Sequence, residues 1–210
     1  MKVARTYSIY YWTVGFLDLT MIVRWPLLVP RPETKELVSL ILESTETYIA
    51  STSFRILEIG SGTGCIGIAL ADKLSESIVT AIDIEPIAIE TSIEDAWKIL
   101  KDNGEDHYQA LLCSIAEFEV FDDKRSDLAV SNPTYIPESD LPSLDPTVLH
   151  HESVEALSGG PDGWKITNKP VYEFEANAGI QHKIWVIDRD IVINSITELF
   201  NTYVPETYIA

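Results

Sequence analysis

The stretch Glu58-Ile59-Gly60-Ser61-Gly62-Thr63-Gly64 follows a short apolar run, Arg55–Ile59, and precedes a helix-forming stretch, Cys65–Leu74. Glycine accepts the positive φ angles of tight turns and lets a ligand approach the backbone closely. The first turn of the next helix adds unpaired N–H groups that favour a polar or negatively charged ligand group. The stretch therefore predicts a strand, a ligand-binding loop and a helix, in that order.

An acid stands at the end of the next predicted strand. That strand is Ile78–Ile84, and Asp83 lies about twenty residues after Gly60, where a carboxylate can accept both hydroxyls of a ribose. A tight strand-to-helix turn with no ligand remains the structural alternative. The dinucleotide pattern G-x-G-x-x-G fits poorly, because a single residue separates Gly62 from Gly64.

Strands and helices continue to alternate along the chain. Pro86 suits the first turn of a helix that should reach Lys101, and further strands are predicted at Gln109–Cys113 and Asp127–Ser131. This alternation predicts an α/β fold with a Rossmann-like, mostly parallel, doubly wound sheet and helices on both faces. The strands at Arg55–Ile59 and Asp127–Ser131 should flank the switch point, so their carboxyl ends should border one crevice.

The two ends of the chain are less regular. We expect an N-terminal hairpin segment at residues 1–29 and one domain at residues 30–210, irregular after residue 164 and with an incomplete C-terminal part. The elements predicted in these regions are part of a hairpin at Gly15–Val23, an amphipathic helix from about Glu33 to Leu42, strands at Val171–Glu175 and Ile184–Ile187, and a helix at Ile191–Phe200.

The segment Ser131-Asn132-Pro133-Thr134-Tyr135-Ile136-Pro137 begins where a predicted strand ends. An amide or exocyclic amine nitrogen is a poor nucleophile because its lone pair is delocalised. The side-chain carbonyl of Asn132 and the backbone carbonyl of Pro133 can each accept one N–H group, which fixes the nitrogen and aims it at an electrophile. Tyr135 offers a flat face for a planar amide or base. An Asx-Pro turn is the structural alternative.

Composition narrows the classes of partner. The 210 residues include 15 basic and 33 acidic ones, a net charge of −18, which disfavours direct contact with nucleic acid and accommodates a basic protein partner. No apolar run is long enough to span a bilayer, so no membrane partner is expected. The histidines and the two cysteines, Cys65 and Cys113, lack metal-ligand spacing, so no metal site is expected.

Several segments are similar, in order and spacing, to HemK-type glutamine methyltransferases, a branch of the class I S-adenosylmethionine methyltransferases. The resemblance covers about residues 20–164. The segments that carry it are Pro30-Arg31-Pro32-Glu33-Thr34, Glu58–Gly64, Asp83, Asn132–Pro137 and Ala156–Gly163.

The resemblance implies a class I methyltransferase fold. It also implies methyl transfer from S-adenosyl-L-methionine to the N5 amide of glutamine, in the Gly-Gly-Gln motif of a peptide chain release factor. The residues it assigns are Asn132, Pro133 and Tyr135 as catalytic and substrate-binding, Arg31 and Glu33 as substrate-binding, and Glu58, Gly60, Gly62, Gly64, Asp83 and Asn132 as cofactor-binding. A proline-bracketed start of a helix is the structural alternative for Arg31 and Glu33.

The chain also departs from the family pattern. Thr134 replaces a second proline, and Ser114 stands where an acid that contacts adenine is usual. No N-terminal helical domain is recognised, so we expect a chain truncated or rearranged at both ends. Two alternatives stay open: an adenine-N6 methyltransferase of nucleic acids, which shares the Asn-Pro-x-Tyr pattern, and an inactive fragment. The family's distribution implies a mitochondrial protein if the source is eukaryotic and a cytoplasmic one otherwise.

Overall fold

The computed structural model describes residues 11–45, 54–101, 104–118, 126–161, 183–188 and 191–193. Its elements, in chain order, are β1 (Tyr11–Phe16), β2 (Leu19–Arg24), α1 (Pro32–Thr45), β3 (Phe54–Ile59), α2 (Cys65–Lys73), β4 (Ser77–Asp83), α3 (Pro86–Leu100), α4 (Gly104–His107), β5 (Tyr108–Leu112), β6 (Leu128–Ser131), a 3-10 turn (Leu141–Ser143), α5 (Pro146–His151), α6 (Val154–Leu157), β7 (Lys183–Asp188) and β8 (Ile191–Ile193).

A six-stranded sheet has the order β5-β4-β3-β6-β7-β8. All neighbouring strands are parallel except β7 and β8, which are antiparallel. The chain runs outward from β3 through β4 to β5 and then returns to the other side of β3 as β6. The direction of winding therefore reverses between β3 and β6, which is the predicted switch point.

Three long helices form one layer on this sheet. The central helix, α2, contacts both α1 and α3, and all three contact strands of the sheet. Every residue of α2 from Cys65 to Ala71 is buried, which explains its nearly uniform apolar sequence. Helix α1 buries Leu37, Val38 and Ile41, at the spacing of one helical face. The sequence also predicts helices on the opposite face of the sheet. The described residues do not show such a helical layer.

The hairpin predicted around Gly15–Val23 is confirmed, and it packs on the helical layer. Strands β1 and β2 pair antiparallel, from Tyr11 opposite Arg24 to Phe16 opposite Leu19. The Ile22 amide donates to Asp95 Oδ2 on α3 at 2.6 Å, and Arg24 pairs with Glu94 on the same helix. The hairpin is thus held to the helical layer by hydrogen bonds and by its buried apolar side chains.

One predicted element is wrong at its start, and others cannot be placed. The helix expected at Ile191–Phe200 begins instead as strand β8, Ile191–Ile193, because β-branched residues suit a strand that can pair with β7. The strand expected at Ile184–Ile187 is confirmed within β7. The strand expected at Val171–Glu175 lies outside the described residues. No helix in the described part of the chain is long and apolar enough to cross a membrane.

Candidate active site

The ends of β3 and β6 are joined at the switch point. Ile59 and Ser131 are register partners, and the Ser131 hydroxyl donates to the Ile59 carbonyl at 2.9 Å. The residues that follow these two, Gly60 and Asn132, therefore leave the sheet side by side. The glycine loop and the Asn-Pro-Thr-Tyr segment therefore begin at adjacent strand ends, where the sequence predicts a shared crevice.

The glycine loop exposes bare backbone. Gly60, Gly62 and Gly64 have φ angles of 67°, 54° and 77°, a left-handed conformation that side chains disfavour. A Cβ on Gly60 or Gly62 would meet nothing within 4 Å, so open space adjoins the backbone at both positions. The loop is therefore a cradle that an extended polar ligand can enter.

Gly64 serves packing as well as conformation. A Cβ there would lie 2.6 Å from Ser92 Cβ and 2.8 Å from the Tyr108 hydroxyl oxygen. Its missing side chain allows the first turn of α2 to approach α3 closely. The third glycine thus fixes the direction in which α2 leaves the loop.

Asp83 holds the loop from the end of β4. Its Oδ2 accepts the Gly62 amide at 2.8 Å, and its Oδ1 accepts the Glu85 amide at 2.9 Å. Burial raises the pKa of the Asp83 carboxyl, and these two amide donors oppose the shift. Each carboxylate oxygen keeps a second lone pair, which is what acceptance of two ribose hydroxyls requires.

The two polar atoms of the Asn132 side-chain amide differ in their hydrogen bonding. Its Nδ2 donates to the hydroxyl oxygen of Thr34 in the first turn of α1 at 3.2 Å. Its Oδ1 is buried and has no hydrogen-bond partner among the described residues. A buried carbonyl without a donor costs about 1–3 kcal/mol, which a ligand N–H group can recover. This oxygen is therefore a local sign of a ligand-binding group.

The residues after Asn132 are held by burial and by backbone hydrogen bonds. Pro133 is buried, Thr134 is half-buried, and Tyr135 packs against the edge of the hydrophobic core. The chain then pairs with the segment after α6: the Ile136 amide donates to the Leu157 carbonyl at 3.2 Å, and the Gly159 amide donates to the Ile136 carbonyl at 2.8 Å. This pairing fixes the far end of the Asn-Pro-Thr-Tyr segment.

Glu58 does not face the open side of the loop. It is 1% exposed, and its carboxylate lies against Gly67 of α2 and Tyr108 of β5. Burial raises the pKa of Glu58 to about 8. Alternation along β3 turns this side chain into the sheet–helix interface, and its expected contact with a cofactor stays a prediction.

The two charged residues of the Pro30–Thr34 segment have different positions. Arg31 Nη2 contacts both carboxylate oxygens of Glu152, at 2.7 and 2.8 Å, and the Glu152 side chain is only 2% exposed. Arg31 is thus engaged by a protein carboxylate. Glu33 is half-buried in the first turn of α1, where a negative charge complements the helix dipole.

Sequence reasoning overlooked three side chains that assemble this site. Ser131 ties β6 to β3, Thr34 binds Asn132, and Glu152 binds Arg31. Thr34 follows the apolar spacing of Leu37, Val38 and Ile41, which marked its face as buried. Glu152 and Ser131 carry no comparable signal, because contacts over such long sequence separations depend on the topology.

Comparisons with known proteins agree with this geometry. Residues 50–158 match a family model described as a methyltransferase domain. The release factor glutamine methyltransferase of Bacillus anthracis is 36% identical over 148 residues, covering 70% of this chain and 50% of that protein. The human MTRF1L release factor glutamine methyltransferase is 32% identical over 159 residues, covering 74% and 46% respectively. The chain thus spans about half the length of these curated relatives.

A solved structure supports the fold alone. The hMettl16 catalytic domain, in complex with a hairpin of the MAT2A 3′UTR, has a TM-score of 0.59 at 10% identity, covering 80% of this chain and 61% of that one. The Rossmann-like class I methyltransferase fold expected from the sequence is confirmed, and so is the similarity to release factor glutamine methyltransferases. The match to the family model, together with the fold and the glycine loop, shows that the chain belongs to the methyltransferase-domain family.

Proposed function

We propose that this protein transfers a methyl group from S-adenosyl-L-methionine to the side-chain amide nitrogen of a glutamine in a peptide chain release factor. The observation that carries the proposal is the buried Oδ1 of Asn132, which has no hydrogen-bond partner in the described part of the chain and lies on the residue that leaves the sheet beside the glycine loop. An acceptor there suits a substrate nitrogen that carries hydrogens.

The proposed chemistry is mainly positioning. Asn132 Oδ1 accepts one N–H of the substrate amide, and the backbone carbonyl of Pro133 accepts the other. With both hydrogens held, the nitrogen lone pair is aimed at the electrophile. The N–C bond would form as the sulfonium S–C bond breaks, and the nitrogen would then release one proton to solvent. Tyr135, which is anchored on the core, packs against the plane of the amide.

The residues present fit the cofactor. Gly60 and Gly62 leave open space beside the backbone, and Asp83 stands at the neighbouring strand end with lone pairs to spare. In this proposal the loop holds the methionine part, and Asp83 accepts the ribose hydroxyls. When bound, the cofactor would supply an activated methyl group, and the protein would supply orientation.

The substrate class rests on the named relatives. Those in Bacillus anthracis and human are release factor glutamine methyltransferases, and the net charge of −18 suits a basic protein partner better than a nucleic acid. We further propose the Gly-Gly-Gln glutamine as the acceptor. If the source is eukaryotic, the similarity to the human MTRF1L enzyme supports a mitochondrial location.

The test combines the full chain with labelled S-adenosylmethionine and three acceptors: a release factor, the same factor with its Gly-Gly-Gln glutamine changed to glutamate, and a structured RNA that contains adenines. The proposal predicts label in the first acceptor alone, with one methyl group mapped to the glutamine by tandem mass spectrometry. Label in RNA would instead support adenine-N6 transfer, and label in none would support an inactive chain.

A further inference from the structure

Thr34 makes the contact that fixes Asn132. It lies in the first turn of α1 and is 2% exposed. Its hydroxyl oxygen accepts a hydrogen bond from Asn132 Nδ2 at 3.2 Å. The two residues are 98 positions apart, so the contact exists only because the topology brings the start of α1 to the end of β6. A valine would fill the same space, so packing alone does not require the hydroxyl.

The direction of this hydrogen bond matters to the site. When Nδ2 binds Thr34, the amide carbonyl is left for another donor, which is the orientation that a substrate N–H group needs. In the reverse orientation, Nδ2 would face the substrate and oppose its N–H groups. The Thr34 hydroxyl can accept from Nδ2 or donate to Oδ1. In the structure it accepts from Nδ2, which is the productive orientation of Asn132.

The position of Thr34 is itself fixed. Its backbone amide donates to the Arg31 carbonyl at 3.2 Å, and the Arg31 guanidinium is held by the buried carboxylate of Glu152. Nearby, the Ser153 amide donates to the Pro26 carbonyl at 3.5 Å. The segment from Pro26 to Thr34 is thus tied to the same part of the chain that pairs with the residues after Tyr135.

From this geometry we propose that Thr34 is a positioning residue, whose hydroxyl orients the Asn132 amide for the substrate. The inference rests on the proposed glutamine methylation and adds a residue that does not touch the reacting atoms. Arg31, by holding the start of α1 on Glu152, supports the position of Thr34 without binding the substrate.

The first readout is independent of activity. The side-chain amide signals of Asn132 are identified in an NMR ¹⁵N spectrum by their loss in Asn132→Asp, and are then compared in wild type, Thr34→Val and Thr34→Ser. Thr34→Val should move the Asn132 signals and speed their hydrogen exchange, whereas Thr34→Ser should keep them close to wild type. Unchanged signals in Thr34→Val would overturn the contact.

The second readout compares the effect of each variant on kcat with its effect on the cofactor Kd. Thr34→Val should lower kcat for methyl transfer by about tenfold or more, the effect of leaving one buried donor unpaired. Cofactor Kd should stay unchanged, and Thr34→Ser should recover most of kcat. Ser39→Ala is the matched control, since it removes a hydroxyl that donates to the Lys35 carbonyl within the same helix and should leave kcat intact.

The outcomes separate the two proposals. Equal kcat in wild type and Thr34→Val overturns the positioning role while glutamine methylation stands. Loss of cofactor binding in Thr34→Val and Thr34→Ser alike would show a merely structural residue. If wild type methylates no release factor, the proposed function fails, and the NMR comparison still decides whether Thr34 orients Asn132.

Discussion

The carboxylate of Glu58 occupies the space that a side chain at position 67 would need. A Cβ built on Gly67 would lie 2.3 Å from Glu58 Oε2, and also 2.9 Å from Val79 Cγ1. The acid that opens the glycine-loop motif and the glycine inside α2 are therefore one packing unit. This unit sets how closely α2 lies on the sheet, and hence where the loop that α2 follows is held.

Gly67→Ala should destabilise the fold despite improving helix propensity. Alanine in a helix gains about 1 kcal/mol over glycine, but overpacking in a tight core costs about 1–3 kcal/mol, and here the nearest atoms cannot move freely. Urea unfolding measures the net loss. Gly15→Ala, where a Cβ meets nothing within 4 Å, is the control and should change stability little. Adding Glu58→Ala to Gly67→Ala should restore part of the loss; no coupling between the two would contradict the packing unit.

Glu58 should make the stability of the fold decrease as pH rises. Its pKa is raised from 4.5 to about 8, so the folded protein keeps a proton that the unfolded chain releases. The Glu58 contribution is therefore fully present below pH 4.5, and it is lost progressively up to about pH 8. The measurement is the difference in unfolding free energy between wild type and Glu58→Gln across that range. Wild type should lose stability relative to Glu58→Gln with rising pH, and a flat difference would show that Glu58 is not protonated in the folded state.

Removing Arg31 should take away the salt bridge that it makes with the buried Glu152 carboxylate. Breaking a fully buried pair costs about 3–5 kcal/mol, and because Arg31 is 35% exposed we expect a smaller loss, about 2 kcal/mol, for Arg31→Met. Neutralising both residues, as Arg31→Met with Glu152→Gln, should recover part of it. Lys73→Met removes a solvent-exposed pair with Asp18 and should have little effect. Equal losses in the single and double variants would rule out the charge-pair explanation.

Asp83→Ala should lower the free energy of cofactor binding more than it lowers the free energy of unfolding. It removes the proposed ribose acceptor and also the partner of the Gly62 amide, so the loop loses one of its anchors. Loss of hydrogen bonds to a charged acceptor predicts at least about tenfold weaker S-adenosylmethionine binding by calorimetry. Glu85→Ala, which keeps the backbone amide that Asp83 binds, is the neighbouring control. Unchanged affinity in Asp83→Ala would remove Asp83 from the cofactor site.

Local pattern and topology rules predicted the parts of the site that lie at strand ends. The apolar run Arg55–Ile59, the glycines that follow it and Asp83 were predictable from local pattern, and the run lies within β3. Parallel strands then bring Gly60 and Asn132 together. The side on which Glu58 points required the position of α2, because an acid beside a glycine loop reads as a ligand contact. The Ile191–Ile193 run is too short for periodicity to separate helix from strand, and its pairing with β7 decided the outcome.

The most direct test of the account compares wild type and Asn132→Ala in two measurements on the same preparations. One is calorimetric binding of S-adenosylmethionine, and the other is methyl transfer to a release factor, with the modified residue mapped by mass spectrometry. We predict that wild type modifies the glutamine and that Asn132→Ala retains cofactor binding but loses transfer by about a hundredfold or more. Transfer that survives in Asn132→Ala, or a cofactor affinity that falls together with transfer, would contradict the role assigned to the Asn132 amide.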